Sequence, residues 1–241
     1  MFLNDHLERF SRNLKAYYGD IFEDFYYENL IESTRNLLFK AIESNKDVAG
    51  DFYFRISLIP AMSEFKISEE IELFSQIYLR DLNQKVTDVK TLKVVERTQD
   101  VMPFGKSGAY MAQNFDLRHA LRDGFDDVLY VSRKGDLLET STSNIILIDQ
   151  VHKKFWTSQL AAKIYSGIII EKTSQILISM GFVRGEENLH ISMVENHHMM
   201  LLTNSVSLIS GGVINQNSIV DMDFANKIQL QLKSNSSVLK D

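Results

Sequence analysis

One lysine-containing stretch offers the first chemical interpretation of this sequence. Gly105, Lys106 and Ser107 match the end of a phosphate-binding loop, in which backbone N–H groups and a lysine hold phosphates. That loop needs another glycine five residues before the Gly-Lys pair, and Asp100 stands there instead. The nucleotide-binding motif therefore fails, and Lys106 is left as a candidate amine without a motif of its own.

Two further patterns raise other kinds of chemistry and do not support them. His197 and His198 are adjacent, and adjacent residues on a strand point to opposite faces of the sheet. No H-x-x-x-H pair or carboxylate cluster at ligand spacing accompanies them, so we expect no metal site. The G-x-S-x-G turn that presents a nucleophilic serine in many hydrolases is also missing.

A set of separated polar residues remains after these exclusions. Each is ordinary by itself, because a lysine before a helix is usually solvated and a glutamate at a strand end is usually a surface charge. A chemical role for any of them depends on their order and spacing along the chain. The set consists of Arg9, Lys106, Glu139, Gly167 and the Thr203-Asn204-Ser205 triplet.

Composition limits the classes of protein in which these residues could act. The chain has 241 residues, 44% hydrophobic and 24% charged, with no cysteine and a net charge of −6. The lack of cysteine excludes a disulfide scaffold, a thiolate metal site and a cysteine nucleophile, and the acidic balance disfavours nucleic-acid binding. No apolar run approaches the roughly 20 residues that span a bilayer, and the start of the chain has no apolar signal segment. We therefore expect a cytoplasmic protein with no membrane or nucleic-acid partner.

The first part of the chain changes between helical and strand periodicity. Apolar residues at three- and four-residue spacing predict a first helix, with Asn4 or Asp5 as its N-cap. Alternation of apolar and polar residues then predicts strands. The expected elements are helices over 7–17 and 23–45 and strands near 52–58, 71–80 and 89–97.

The second part contains more strands than helices. A hairpin is expected to turn at Lys134-Gly135, a helix to end at Gly181 in a left-handed cap, and Gly211-Gly212 to mark a turn. The expected elements are helices over 107–122, 168–180 and 222–233 and strands within 126–139, 143–150 and 199–205.

Mixed helices and strands without strict βαβ alternation favour an α+β fold over a doubly wound sheet. We expect a boundary near 98–105. It would divide the chain into a small α/β domain over 1–100 and a larger, sheet-rich domain over 101–241.

The stretch from 124 to 148 carries a family resemblance. It reads GFDDVLYVSRKGDLLE and then TSTSNIILI, and it resembles the pattern of the fold-type IV, or class IV, pyridoxal-phosphate enzymes. These include branched-chain aminotransferases, D-amino-acid aminotransferases and 4-amino-4-deoxychorismate lyases. Lys106 precedes Glu139 by 33 residues, a separation similar to that of the lyase-type members.

Weaker matches occur in the order that the family shows. LLTNS and VSLISGGVI resemble two successive strands of the family, and Gly167-Ile168 stands at its G-I-T-R turn. DHLERF at 5–10 resembles the family's H-x-x-R-L helix. The resemblance covers roughly residues 5–220 and implies a fold of the D-amino-acid aminotransferase type, with pyridoxal 5'-phosphate as cofactor.

The resemblance implies roles for the separated residues around that cofactor. Lys106 would form the Schiff base with it and move protons at the substrate Cα, and Glu139 would face its pyridine nitrogen. Asn144 is expected to pin the loop beneath Glu139. The phosphate would be held by the helix start, an arginine and two polar side chains, namely Ile168, Ile169, Arg9, Asn204 and Ser205.

Substrate recognition is where the sequence departs from the family. Tyr53 and Arg55 resemble the Y-x-R of branched-chain aminotransferases, and Tyr110 lies one helical turn beyond Lys106. The threonine and arginine of the G-I-T-R turn are replaced by Ile169 and Ile170, and His197-His198 replaces an acidic pair. We also expect a shortened first domain without the N-terminal strands of the family. We expect an aminotransferase of small amino and keto acids in a homodimer. A 4-amino-4-deoxychorismate lyase is the alternative, and a non-catalytic relative is a second one.

Overall fold

The structure is a computed structural model of the chain. It describes residues 2–18, 24–47, 52–63, 66–79, 89–97, 110–158, 164–165, 167–194, 198–214 and 220–236. The chain divides into two units, Met1–Glu8 with Lys85–Asp241 and Arg9–Gln84. The expected domains 1–100 and 101–241 remain a prediction.

The first helix, α1 (Leu3–Tyr18), confirms the helix predicted from the spacing of apolar residues. The predicted N-cap, Asn4 or Asp5, is wrong. The helix begins at Leu3, so Asn4 and Asp5 lie within its first turn. Phe2 and Leu3 are both buried. Burying such a side chain contributes about 2 kcal/mol, more than the ~1 kcal/mol of a capping hydrogen bond, which explains the earlier start.

The unit Arg9–Gln84 contains the rest of α1, the helix α2 (Asp24–Ser44) and a two-stranded antiparallel sheet. The strands are β1 (Phe52–Ser63) and β2 (Lys66–Leu79), paired from Phe52 with Leu79 to Ser63 with Lys66. Their register shifts between Pro60 and Met62, where proline has no N–H to donate to the ladder.

The larger unit is built on one eight-stranded sheet in the order β5-β4-β3-β10-β9-β6-β7-β8. Because β5 also pairs with β6, six of the strands form a closed ring and the other two extend from β6. The strands are β3 (Val89–Glu96), β4 (Asp127–Val131), β5 (Leu137–Thr140), β6 (Asn144–Asp149), β7 (Lys154–Thr157), β8 (Val183–Arg184), β9 (His198–Asn204) and β10 (Leu208–Val213).

Three helices accompany this sheet: α3 (Met111–Arg122), α4 (Ile168–Ser179) and α5 (Met222–Asn235). Gly181 has a φ of +86°, which confirms the predicted left-handed cap after α4. Residues 107–109 of the predicted third helix lie outside the described residues. None of the helices in the described ranges is long and apolar enough to cross a membrane.

The strand β6 separates two apolar clusters, since successive side chains of a strand point to opposite faces. Ile146 and Ile148 pack in a cluster with residues of α4 and α5, whereas Ile145 and Leu147 pack in a second cluster with Leu92 of β3. All four β6 side chains are buried. Asn144, the first residue of β6, therefore lies at one end of the strand, on the face that packs against α4.

The predicted turn at Gly211-Gly212 is wrong, because both glycines lie inside β10. They pair with β9 on one side and β3 on the other. A Cβ on Gly211 would come within 2.6 Å of Val220, and one on Gly212 within 3.1 Å of Leu202 and Leu92. Close packing, rather than a change of chain direction, requires glycine at these positions.

Candidate active site

Glu139, near the end of β5, is held as a partly buried anion. Its Oε1 accepts a hydrogen bond from Arg97 Nη1 at 2.9 Å, and its Oε2 accepts one from the backbone N–H of Tyr165 at 3.2 Å. The side chain is 13% exposed. A carboxylate has about four acceptor positions, so these two bonds fix its orientation and leave room for a further donor.

Arg97 follows β3 and is held by the neighbouring strand. Its backbone N–H donates to the carbonyl of Val131 at 2.9 Å, and its guanidinium lies 4.1 Å from the ring centre of Tyr130. A guanidinium over an aromatic face is attracted by the ring quadrupole. The sequence alone does not identify Arg97, because no local pattern distinguishes it from other cations. Its role depends on the pairing of β3 with β4 and of β4 with β5.

Tyr130 connects Arg97 to α3. Its hydroxyl donates a hydrogen bond to Asp116 Oδ2 at 3.0 Å. Burial of the ring, together with the Asp116 carboxylate, raises the pKa of Tyr130 well above its ordinary value. The neutral phenol therefore persists beneath the guanidinium and presents an uncharged ring to it.

Asn144 lies opposite Glu139 in the pairing of β5 with β6. The Asn144 Nδ2 donates a hydrogen bond to the carbonyl of Tyr165 at 2.7 Å, and the backbone N–H of Tyr165 donates one to Glu139. Both polar groups of Tyr165's backbone are thus held by side chains of adjacent strands. This contact confirms the expectation that Asn144 pins the loop beneath Glu139.

Gly167 precedes α4, and its position requires a residue without a side chain. A Cβ there would come within 2.2 Å of Asn144 Oδ1. The next residues, Ile168 and Ile169, are buried, so the helix start offers backbone groups rather than polar side chains. The first N–H groups of a helix have no partner within it and carry the positive end of its dipole, which suits an anion.

The TNS triplet adds one further group to this arrangement. Thr203 pairs with Asn144 across β9 and β6, so the two side chains share a face of the sheet. Within the described part of the chain, Thr203 Oγ1 is buried and has no hydrogen-bond partner. Neither its burial nor its lack of a partner was evident from the sequence.

Asn204 builds the turn between β9 and β10. Its Oδ1 accepts hydrogen bonds from the backbone N–H groups of Val206 and Ser207, both at 2.8 Å, and its Nδ2 donates to Ser143 at 2.9 Å. Ser205 is exposed in that turn. The phosphate-binding roles of Asn204 and Ser205 remain predictions.

The other predicted residues are distributed over the chain. Lys106 lies outside the described residues, and Tyr110 precedes α3, where its carbonyl accepts a hydrogen bond from Asn114 N–H at 2.9 Å. Arg9, Tyr53 and Arg55 belong to the unit Arg9–Gln84. The Arg55 side chain is exposed on β1, and that of Tyr53 lies outside the described part. The structure thus brings together Glu139, Asn144, Gly167, Ile168 and Thr203, and the cofactor- and substrate-binding roles of all the predicted residues remain predictions.

Comparison with models of known protein families identifies the family to which the chain belongs. The family model for amino-transferase class IV matches residues 1–212. The chain belongs to the class IV aminotransferase family. This assignment confirms the resemblance first seen at 124–148, the α+β fold of type IV, and an enzyme of the pyridoxal-phosphate-dependent transaminase and lyase class.

Solved structures share this fold at low sequence identity. A fold IV transaminase from Curtobacterium pusillum has 16% identity over 97% of this chain and 81% of its own, with a TM-score of 0.77. A putative 4-amino-4-deoxychorismate lyase from Legionella pneumophila has 18% identity over 98% and 86%, with a TM-score of 0.75. A hypothetical aminotransferase from Mycobacterium tuberculosis, in a PLP-bound form, has 14% identity over 96% and 84%, with a TM-score of 0.75. Comparison with curated protein sequences gives no significant match.

The residues present fit the charge pattern of pyridoxal phosphate. Glu139 is an oriented carboxylate with acceptor positions left for a protonated ring nitrogen. Gly167 stands directly before α4 and carries no side chain, and the backbone N–H groups of the helix start suit a phosphate dianion. The Thr203 hydroxyl, which has no hydrogen-bond partner among the described residues, lies on β9 directly opposite Asn144 of β6. The donors and acceptors thus match the two polar ends of the cofactor.

Proposed function

We propose that this chain is a pyridoxal-phosphate-dependent aminotransferase that acts on a small amino acid and keto acid pair, with Lys106 as its cofactor-binding lysine. The observation that carries the proposal is the fixed Glu139 carboxylate, held between Arg97 and the Tyr165 N–H. A partly buried carboxylate held in a fixed orientation, with acceptor positions left over, suits a bound cationic donor.

Each residue contributes a separate step to the proposed reaction. Bound pyridoxal phosphate supplies an electron-withdrawing ring that acidifies the substrate Cα–H bond. Glu139 would accept a hydrogen bond from the ring nitrogen, and the N–H groups at the start of α4 would hold the phosphate. Lys106 would hold the cofactor through its amine and would move a proton to and from the substrate Cα.

Substrate binding is proposed to involve Tyr53, Arg55 and Tyr110. An exposed arginine on β1 can form a bidentate pair with a substrate carboxylate. Arg9, Asn204 and Ser205 are proposed as further phosphate ligands, in keeping with the family resemblance. The same resemblance supports a cytoplasmic homodimer that handles small amino and keto acids.

A 4-amino-4-deoxychorismate lyase is the second candidate function. The 33-residue separation of Lys106 from Glu139 resembles that of the lyase-type members, and this resemblance supports the lyase as the alternative. The same lysine would then assist release of pyruvate and 4-aminobenzoate. A family member without catalytic activity is the third interpretation, against which the presence of both Lys106 and Glu139 argues.

The visible absorption spectrum of the protein with added pyridoxal phosphate tests the proposal. We expect a band of the lysine-bound cofactor in the natural protein and in Lys134→Ala, whose side chain is exposed on a turn, but not in Lys106→Ala. Absence of the band at every pH would overturn the proposed function. A band that persists in Lys106→Ala would overturn the assignment of the lysine.

Product analysis separates the two activities. The protein is supplied with D-alanine, L-glutamate or aminodeoxychorismate, each in turn. Keto acid formed from an amino acid, together with an aminated cofactor, supports the aminotransferase. Pyruvate formed together with 4-aminobenzoate supports the lyase. A protein that holds the cofactor and converts none of these substrates matches neither assignment.

A further inference from the structure

The Arg97–Glu139 pair raises a question that the proposed function leaves open. The two side chains are 9% and 13% exposed, and 2.9 Å separates Nη1 from Oε1. The guanidinium is further held 4.1 Å above the Tyr130 ring. A cation is thus fixed against the carboxylate that serves the cofactor's ring nitrogen.

We propose that Arg97 sets how strongly the cofactor's ring nitrogen holds its proton, because the guanidinium and the protonated ring share the single negative charge of Glu139. The proposal rests on the function proposed above. A carboxylate that faces one cation stabilises it fully, whereas a carboxylate that faces two divides its electrostatic attraction between them. The ring nitrogen should therefore lose its proton at a lower pH than it would beside Glu139 alone.

The groups around this carboxylate come from several elements. Arg97 follows β3 and Tyr130 lies on β4, which pairs with β3 on one side and with β5, the strand that carries Glu139, on the other. Behind Tyr130 stand the charged groups of Asp116 on α3 and Asp127 on β4. On the other side, the Tyr165 N–H donates to Glu139 without adding a net charge. Arg97 is therefore the cation in direct contact with Glu139 among the residues that the structure describes.

Arg97 acts through Glu139 and is therefore a positioning residue rather than a catalytic one. A weaker hold on the ring proton means weaker electron withdrawal, so the arginine adjusts how far the ring stabilises negative charge at the substrate Cα. Removing the guanidinium should reverse this adjustment. A charge at hydrogen-bonding distance changes a proton affinity by about one to three pH units, and we expect a shift near the lower limit because the effect passes through Glu139.

The test follows the ring nitrogen itself. Protein loaded with pyridoxal phosphate labelled with ¹⁵N in the ring is titrated, and the ¹⁵N resonance reports whether the nitrogen is protonated. We expect Arg97→Met to raise the pH at which the nitrogen loses its proton by about one unit. Arg97→Lys should stay close to the natural protein, because it keeps the positive charge. Tyr130→Phe, which keeps the ring under the guanidinium, is the matched control and should not shift the titration.

Each outcome of the titration either supports or overturns the role of Arg97. An unchanged titration in Arg97→Met, or an equal shift in Arg97→Lys, overturns the inference while the proposed function stands. If Arg97→Met does not fold, Tyr130→Leu frees the guanidinium from its stacking and should shift the titration in the same direction by less. A natural protein whose ring nitrogen stays protonated at the alkaline limit of its folding also overturns it. Failure of the natural protein to take up cofactor overturns the proposed function and the inference together.

Discussion

Gly167 lies so close to Asn144 that no side chain fits between them: a Cβ on Gly167 would come within 2.2 Å of Asn144 Oδ1. The backbone at Gly167 has a φ of −82° and a ψ of 149°, a conformation that any residue adopts. Space alone therefore requires glycine here. Because Asn144 also holds Tyr165 and lies opposite Glu139, the start of α4 and the Glu139 carboxylate are connected through one side-chain amide.

Gly167→Ala should weaken cofactor binding by at least about tenfold, which corresponds to ~1.4 kcal/mol. The added methyl group would displace Asn144, and the displaced amide would release the Tyr165 carbonyl and disturb the N–H bond to Glu139. Titration of the apoprotein with pyridoxal phosphate, followed by absorbance, measures the dissociation constant. Gly211→Ala is the control, because Gly211 lies on β10 and its added Cβ would be similarly crowded, 2.6 Å from Val220, without contacting Asn144. Equal affinity losses in both variants would contradict a specific role for Gly167.

Thr203→Val should have opposite effects on the free and the loaded protein. The buried Oγ1 has no partner among the described residues, and a buried hydroxyl without a partner costs about 1–3 kcal/mol. Valine has nearly the same shape, so the apoprotein should be as stable as the natural one or more so. Cofactor affinity should fall by about tenfold if the hydroxyl donates to the phosphate. Urea unfolding of the apoprotein and cofactor titration give the two quantities, and an affinity that does not change would refute the contact.

Tyr130→Phe should destabilise the protein by about 1 kcal/mol, the contribution of one hydrogen bond. A double-mutant cycle with Asp116→Ala isolates the bond between the two residues. Burial raises the pKa of Tyr130, so the folded protein holds this proton more tightly than the unfolded chain does. The corresponding stability is present below about pH 10, the ordinary value for tyrosine, and declines as the pH rises above it. Urea unfolding across that range should show the decline in the natural protein and not in the variant.

The sequence predicts those parts of the site that depend on local pattern. Helix α4 follows from its apolar spacing and its glycine cap, and the strand β6 from its run of apolar residues. Order and spacing within a family pattern predict roles for Glu139 and Gly167. They predict none for Arg97, because its contact with Glu139 depends on strands that lie far apart in the chain. Thr203 was assigned no separate role because its burial depends on the pairing of β6 with β9.

The two errors in the predicted elements have one physical origin. Asn4 and Asp5 are good capping residues, yet burial of Phe2 and Leu3 starts α1 earlier. The Gly211-Gly212 pair is a common turn pattern, yet both glycines lie in β10 against packed side chains. In each case a contact with residues distant in sequence outweighs a local preference.

Asp149 should determine part of the protein's sensitivity to acid. Burial alone would raise its pKa, but hydrogen bonds from the backbone and ring of His152, with the nearby His198, lower the pKa to about 2. The ring nitrogen Nδ1 of His152 lies 2.6 Å from Oδ2, and Nε2 of His198 lies 3.6 Å from it. The folded state thus favours the ionised carboxylate more than the unfolded chain does.

The direction of the pH effect follows from that difference. The stabilisation is fully present above the ordinary aspartate value near pH 4 and is lost as the pH falls towards about 2. It amounts to on the order of 1–2 kcal/mol. Urea unfolding between these pH values should show this loss in the natural protein and a smaller one in Asp149→Asn. Asp47→Asn, at an exposed position, should retain the natural dependence, and an Asp149→Asn protein with the full acid-induced loss would contradict the assignment.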